Sequence, residues 1–350
     1  MLLSILAFLF IILICVIVHE FGHYITALIF GVKVHEFSFG MGPLLWQSQG
    51  RRNKWSIRAL PVGGFVRLAG MGEEADGETL LPGESFREKA AWKRLIILAA
   101  GAFNNVLLVV VLMTGLLAVR GVMDLSVSEI GELMPGYPAE AAGLQSGDVV
   151  FRVGETDVTT WQDMSLAIRA QGQEGKKINL KVRRNGEELD YTLETKRETP
   201  DGPFLVGIRP AFKRLPIFKA AGTSITFTFQ LTVTMLKSLK SILLHPSKAD
   251  VTGPVGIAAM AGSAARDGIV SLIAFLAIIS LNLGIINLLP FPALDGGHIF
   301  FVLCEMITGR RLPQKALGVI QFIGFTLLAM LIVYVTWQDI LRLLMPGVQP

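Results

Sequence analysis

One short run of the chain carries groups that can do hydrolytic chemistry together. His19-Glu20-Phe21-Gly22-His23 places two imidazoles four residues apart. On an α-helix that spacing puts both side chains on one face, one turn apart, so both rings can reach a single ion. Glu20 is offset from that face. It is poorly placed as a third ligand from the same turn, but it can take a proton from a water held near the ion. The five-residue pattern also arises by chance in soluble helices, so its setting decides its weight. It follows an uncharged apolar run from Met1 to Val18. An ionisable side chain at membrane depth costs roughly 2.5 to 3.5 kcal/mol on insertion scales. Three on adjacent turns need a partner, and a divalent cation supplies one.

A catalytic zinc takes three protein ligands and keeps one position open. Several residues compete for the third place. Glu36 lies just past Gly31 and reads as a solvated loop charge. His35 and His245 sit among charged or turn residues and read as surface histidines. Asp339 falls at the far end of the last apolar stretch. Asp295 lies in Asn287-Leu-Leu-Pro-Phe-Pro-Ala-Leu-Asp-Gly-Gly-His298, where two prolines and two glycines force an irregular backbone. Such backbone survives at membrane depth only when buried in protein or lining a cavity. Asp295 could instead cap a helix starting near His298, and His298 is itself a possible ligand. A cap accounts for the aspartate but not for the broken helix preceded by asparagines, so Asp295 is preferred.

The elements that must position these groups are read from composition. The chain has 350 residues, 52% hydrophobic and 17% charged, with mean hydropathy +0.55. A soluble domain usually carries about 25% charged residues. That balance excludes a disordered chain, a coiled coil and a simple soluble enzyme. Two cysteines, Cys15 and Cys304, exclude a disulfide framework and a multi-cysteine metal site. A net charge of +4 without a basic, aromatic-laced stretch points away from nucleic acid. A spanning helix needs about 20 apolar residues. Four stretches qualify: Met1 through Ile29, Leu95–Val119, Ile269–Leu294 and Ala316–Gln338. The first has no basic n-region and no small-residue cleavage site, so it reads as a retained helix. Ala220–Leu236 is uncharged but rich in Thr and Ser and bracketed by lysines, so it can span or lie in the interface.

Short loops rich in Lys and Arg face the cytoplasm. The segment 31–94 holds ten such residues, and Arg310, Arg311 and Lys315 lie between the last two stretches. This predicts an outer N-terminus and an outer 121–215 segment. His19 then lies about 27 Å along the first span, at 1.5 Å per residue. Asp295 reaches the same depth only if its helix also runs from outside to inside. The metal site therefore requires four spans, with 217–244 interfacial.

Residues 121–215 read differently from the rest. Charges and turn signals return, and alternation predicts strands at 149–153, 178–182 and 189–193, the last two joined by Asn185-Gly186. A short helix is predicted over 164–170. The run Pro138-Ala-Glu-Ala-Ala-Gly-Leu-Gln-Ser-Gly-Asp-Val-Val150 resembles a PDZ domain of the bacterial protease-associated type. Such domains bind extended peptides by adding a strand to a sheet edge.

Taken together, the motifs resemble the site-2 protease family of intramembrane zinc metalloproteases, in its bacterial regulator of sigma-E protease branch. His19-Glu20-x-x-His23 matches the family's first motif. Leu294-Asp295-Gly296, preceded by Asn287 and by Pro290-x-Pro292, matches its second. The resemblance implies one Zn2+ per chain on His19, His23 and Asp295, with Glu20 as general base. It implies that Asn287 contacts the substrate backbone, with Asn282 a weaker companion. Gly101-Ala-Phe-Asn-Asn105 is similar to a Gly-Pro-x-x-Asn motif, with Ala102 in place of proline, and adds Asn105 to the candidate substrate contacts. Phe39-Gly40-Met-Gly42-Pro43 resembles a glycine-rich element. Asn53–Leu68, with Trp55 and Ile57 alternating, resembles a membrane-associated β element offering an edge to substrate.

The implied fold is an α-helical polytopic membrane protein of four transmembrane helices with an inserted α+β PDZ domain. Its parts are 1–119 (spans 1–30 and 95–119 around a cytoplasmic β element, 31–94), a PDZ domain at 121–212, an interfacial amphipathic segment at 213–265, and 266–350 (spans 268–294 and 316–340). The implied activity is zinc endopeptidase cleavage of transmembrane segments within the bilayer, as in regulated intramembrane proteolysis. Implied substrates are single-pass membrane proteins such as anti-sigma factors, or remnant signal peptides. The implied location is the bacterial inner membrane, with the active site near the cytoplasmic side.

Overall fold

The computed structural model describes residues 1–50, 53–71, 80–172, 176–197, 204–245 and 252–344. In chain order its elements are α1 (Leu2–Ile29), β1 (Val34–Gln49), β2 (Lys54–Leu68), a 3-10 turn (Phe86–Glu88), α2 (Ala91–Val119), β3 (Val122–Met123), β4 (Ile130–Leu133), α3 (Pro138–Ala141), β5 (Val149–Val153), β6 (Thr156–Asp157), α4 (Trp161–Gln171), β7 (Lys177–Arg184), β8 (Glu187–Glu194), β9 (Ile208–Pro210), β10 (Phe212–Lys213), α5 (Ile217–Leu244), α6 (Pro254–Arg266), α7 (Ile269–Asn287), α8 (Asp295–Thr308) and α9 (Gln314–Leu344). The chain divides into two compact units, Met1–Thr114 with Ala221–Pro350, and Gly115–Ala220.

In the first unit, four of the described helices are long and apolar enough to cross a membrane: Leu2–Ile29, Ala91–Val119, Ile269–Asn287 and Gln314–Arg342. They correspond to the four stretches read from the sequence. The third is helical only to Asn287 and not to Leu294, because Pro290 and Pro292 supply no N–H to continue it. Among the described residues, the segment 213–265 contains two helices, α5 and α6. Among the spans, α1 buries Ala7, Ile11, Cys15, His19, His23 and Ala27, a strict four-residue repeat that forms one inward stripe. Its first half packs against Ala261 of α6 and Leu276 of α7. Its last turn packs with Val34, Leu68, Ile97 and Leu98. At Gly22 a Cβ would fall 2.6 Å from the Ala100 carbonyl carbon, so only glycine lets α1 and α2 cross this closely.

The β1–β2 hairpin is antiparallel with a bulged register. Each of Glu36, Phe37 and Phe39 faces two partners on β2, one within 54–57 and one within 64–67. The 36–39 run thus lies between two runs of β2, which leaves 64–67 at a margin of the sheet. This pairing overturns two sequence expectations. Glu36 is buried, accepting hydrogen bonds from Ser56 Oγ (2.5 Å) and Arg58 Nη2 (2.9 Å). His35 is buried as well, whereas His245 is exposed. Asp339 is spent on the fold: its two carboxylate oxygens accept from Gly253 N (3.1 Å) and Gly256 N (2.8 Å), capping α6.

The second unit has the strand order β6-β5-β7-β8, with separate pairs β4–β9 and β3–β10. Val150, Val153, Leu180, Val182 and Met164 are fully buried at its centre. The predicted strands at 149–153, 178–182 and 189–193 fall within β5, β7 and β8. Asn185 and Gly186 adopt φ 51° and 90°, the two positive values a tight two-residue hairpin turn demands. Thr160 and Asp163 form a capping box that starts α4 three residues earlier than expected. Asp148 is fully buried. It accepts from Arg184 Nε (2.6 Å) and Nη2 (2.7 Å) and from Gln145 N (2.8 Å).

Candidate metal centre

Three side chains from two distant parts of the chain meet in the first unit. His19 Nε2 lies 2.9 Å from Asp295 Oδ2, and His23 Nε2 lies 3.2 Å from that same oxygen. The two imidazole nitrogens are 3.2 Å apart. One atom from each residue therefore forms a triangle with edges of 2.9, 3.2 and 3.2 Å. Tetrahedral ligands at about 2.0 to 2.1 Å from one zinc ion stand about 3.3 Å from each other. The donor set, two imidazoles and one carboxylate, suits that metal as well. Among the described residues this is the one group of three His, Cys, Asp or Glu side chains arranged to hold an ion.

The local structure explains why the three converge. His19 and His23 belong to the inward stripe of α1. His23 Nδ1 lies 2.8 Å from the Ile97 carbonyl oxygen, which can only accept. The ring therefore donates from Nδ1 and turns the lone pair of Nε2 to the triangle. Asp295 is delivered by the bend between α7 and α8. Ala293 takes φ 76°, unusual for a residue with a side chain, and Leu294 precedes α8 in extended conformation. Leu294, not Asp295, is the N-cap, and its side chain makes no capping hydrogen bond. The Asp295 carboxylate is thus left for the histidines. Gly296 and Gly297 lie under the bend, where a Cβ on Gly297 would come 2.9 Å from the Phe291 carbonyl carbon. Across the triangle, Gly101 of α2 closes the wall. A Cβ there would stand 2.6 Å from His19 Nε2 and closer still to His23 Nε2. A side chain at 101 would occupy the space that the two nitrogens address.

The description "Peptidase family M50" matches residues 7–331. The chain belongs to this family. A protein of Clostridium acetobutylicum whose name places it among the zinc metalloproteases is 37% identical over 330 residues, covering 93% of this chain and 94% of that protein. The zinc metalloprotease RasP of Shouchella clausii is 31% identical over 423 aligned positions, covering 97% and 99%.

The remaining candidate residues of this M50 chain lie on α1, β2, α2, α7 and α8. Glu20 Oε2 accepts from Val66 N at 2.9 Å, which ties the base candidate to the 64–67 run of β2. Asn287 is half-buried at the C-terminal end of α7, directly before the bend that carries Asp295, and Asn282 is exposed one turn and a half earlier. Trp55 packs in an aromatic group with Tyr24, Phe37 and Phe39, at ring separations of 5.5, 5.1 and 6.2 Å. Ile57 is exposed. Asn105 is fully buried, its amide Nδ2 3.5 Å from His19 Nδ1. His298, the rival ligand, faces Gln321 of α9 at 2.7 Å instead.

A cavity of about 800 Å³ lies on that side, lined by Val66, Arg94, His298, Glu305 and Gln321 among others. Arg94 reaches Glu305 through two bonds, 2.9 and 2.6 Å, and so joins α2 to α8. The sequence motifs named Gly101 only as the start of the Gly101–Asn105 run, and they did not single out the Ile97 carbonyl or the Val66 amide. Both of these are backbone groups, so residue type carries no signal for them.

Proposed function

We propose that this M50 zinc metalloprotease cleaves transmembrane segments within the bilayer. The triangle of His19, His23 and Asp295 carries that reading. When bound there, zinc would lower the pKa of a coordinated water and polarise the scissile carbonyl. Glu20 accepts the proton of the attacking water and returns it to the leaving amine as the C–N bond breaks. The Val66 N–H holds the Glu20 carboxylate in place for both transfers. The cavity beside Val66, with Arg94, His298, Glu305 and Gln321 on its wall, is roomy enough to hold water for hydrolysis.

A transmembrane helix resists attack, because its carbonyls are hydrogen-bonded within the helix. The substrate must first open into a strand. The 64–67 run offers a sheet margin for it beside Glu20, and Asn287 holds the opened backbone. Trp55 and Ile57 shape the same β element, with Asn282 further out. Substrates are single-pass membrane proteins, such as anti-sigma factors, or remnant signal peptides. The second unit serves as a PDZ domain that binds extended peptides on the outer side. The multi-pass chain lies in the bacterial inner membrane, N-terminus outward, with its site towards the cytoplasm. The distribution of Lys and Arg supports this orientation.

Replacing Glu20→Gln tests the assignment. The variant keeps its fold and its zinc and loses roughly 10²- to 10⁴-fold in cleavage of a helical membrane peptide. Undiminished cleavage by a zinc-loaded Glu20→Gln protein would end it.

A further inference from the structure

The two histidines are held from behind in different ways. Each must present an unprotonated Nε2 to a metal, so each must carry its proton on Nδ1 and give it to an acceptor. His23 does so through the Ile97 carbonyl. Two turns further along α2, the group behind His19 is the Asn105 side-chain amide. As placed, its Nδ2 lies 3.5 Å from His19 Nδ1, and its Oδ1 is buried without a hydrogen-bond partner among the described residues. Rotating the amide by 180° exchanges its nearly identical oxygen and nitrogen. That one change brings Oδ1 to the Nδ1–H that a metal-binding His19 must have.

The backbone around Asn105 is fixed as such a role requires. Ser280 Oγ of α7 donates to the Asn105 carbonyl oxygen (3.1 Å). Gly284 lets α7 approach so closely that a Cβ there would stand 3.2 Å from the Asn105 Cβ. Asn105 is also 0% exposed, so a substrate strand has no access to its amide.

We propose that Asn105 is a positioning residue for the metal centre: its Oδ1 accepts the His19 Nδ1 proton and thereby sets the tautomer and ring orientation of that ligand. The inference rests on the zinc reading above. Its role acts through His19, in parallel with the Ile97 carbonyl behind His23.

The test is zinc affinity, measured by chelator competition on the full-length, detergent-purified chain as wild type, Asn105→Leu and Asn105→Asp. Loss of the acceptor in Asn105→Leu weakens zinc about 10- to 100-fold. Asn105→Asp, which keeps an acceptor at that place, stays within a few-fold of wild type. Unchanged affinity in Asn105→Leu overturns the proposal. So does the opposite ranking, with Asn105→Leu tighter than Asn105→Asp. A second readout uses the wild type alone and needs no variant to fold. In ring-15N spectra of the zinc-loaded chain, His19 Nδ1 is protonated, whereas an unprotonated Nδ1 overturns the proposal. A wild type that takes up no zinc at all would instead remove the metal reading itself, and this proposal with it.

Discussion

At the scale of single residues, the site consists of side chains aimed by groups that do no chemistry. The triangle of His19, His23 and Asp295 follows from helical spacing on one side and a broken helix on the other. Spacing made the two histidines legible in sequence, because a separation of four residues fixes a common face whatever the fold. Asp295 was legible by elimination and by the Pro and Gly residues around it. The structure removes the main rival explanation, since Leu294 is the cap of α8. Glu36 misled because a charge beside a turn usually lies in water. Here the bulged register of β1 and β2 brings Ser56 and Arg58 onto it, and long-range register cannot be read from local pattern. Gly101 leads to a sharp prediction. Gly101→Ala places a methyl between the ligand nitrogens, so the purified variant should fold but hold far less than stoichiometric zinc by elemental analysis. Full zinc occupancy in that variant would mean that the ion sits elsewhere.

At the scale of elements, close helix crossings and one sheet margin set the geometry. Gly22 and Gly101 bring α1 and α2 together, Gly284 brings α7 onto α2, and Gly296 and Gly297 carry the bend before α8. Hydropathy located the four apolar helices because twenty apolar residues in a row have few other uses. It overran the end of α7, where the apolar run continues through a segment that is no longer helical. The 64–67 run of β2 holds Glu20 through a backbone N–H, so its contribution is invisible to residue type. Val66→Pro removes that donor and also blocks strand addition at the margin. This variant should retain zinc and lose roughly 10- to 100-fold in peptide cleavage, the usual cost of a misplaced catalytic group. Equal cleavage rates would show that the 64–67 run neither orients Glu20 nor receives substrate.

At the scale of the whole molecule, the chain combines an apolar helical unit carrying the metal centre with a small α+β unit. The second unit was the more legible in its strands, since turn residues and two-residue alternation report directly on hairpins. Its Asp148 gives it a defined acid response. Burial by itself would raise the pKa of this carboxyl, but the bonds from Arg184 and Gln145 N hold it below the ordinary carboxylate value. A carboxyl depressed in the folded state contributes stability above its unfolded pKa of about 3.9 and loses that contribution as pH falls through the folded value. A fragment spanning 121–212 should therefore unfold cooperatively in urea, followed by Trp161 fluorescence, and weaken below about pH 4. Asp148→Asn should cost about 1 to 3 kcal/mol at neutral pH and flatten that acid dependence. An unchanged midpoint would show that the Asp148–Arg184 pair contributes no net stability.

The central claim is that His19, His23 and Asp295 together hold one zinc ion. Elemental analysis of the full-length chain, purified in detergent as wild type, His23→Ala and Asp295→Ala, tests it most directly. The account predicts about one zinc per wild-type chain and little in either variant. Wild-type protein that is folded but free of zinc, or Asp295→Ala protein that keeps it in full, would contradict it.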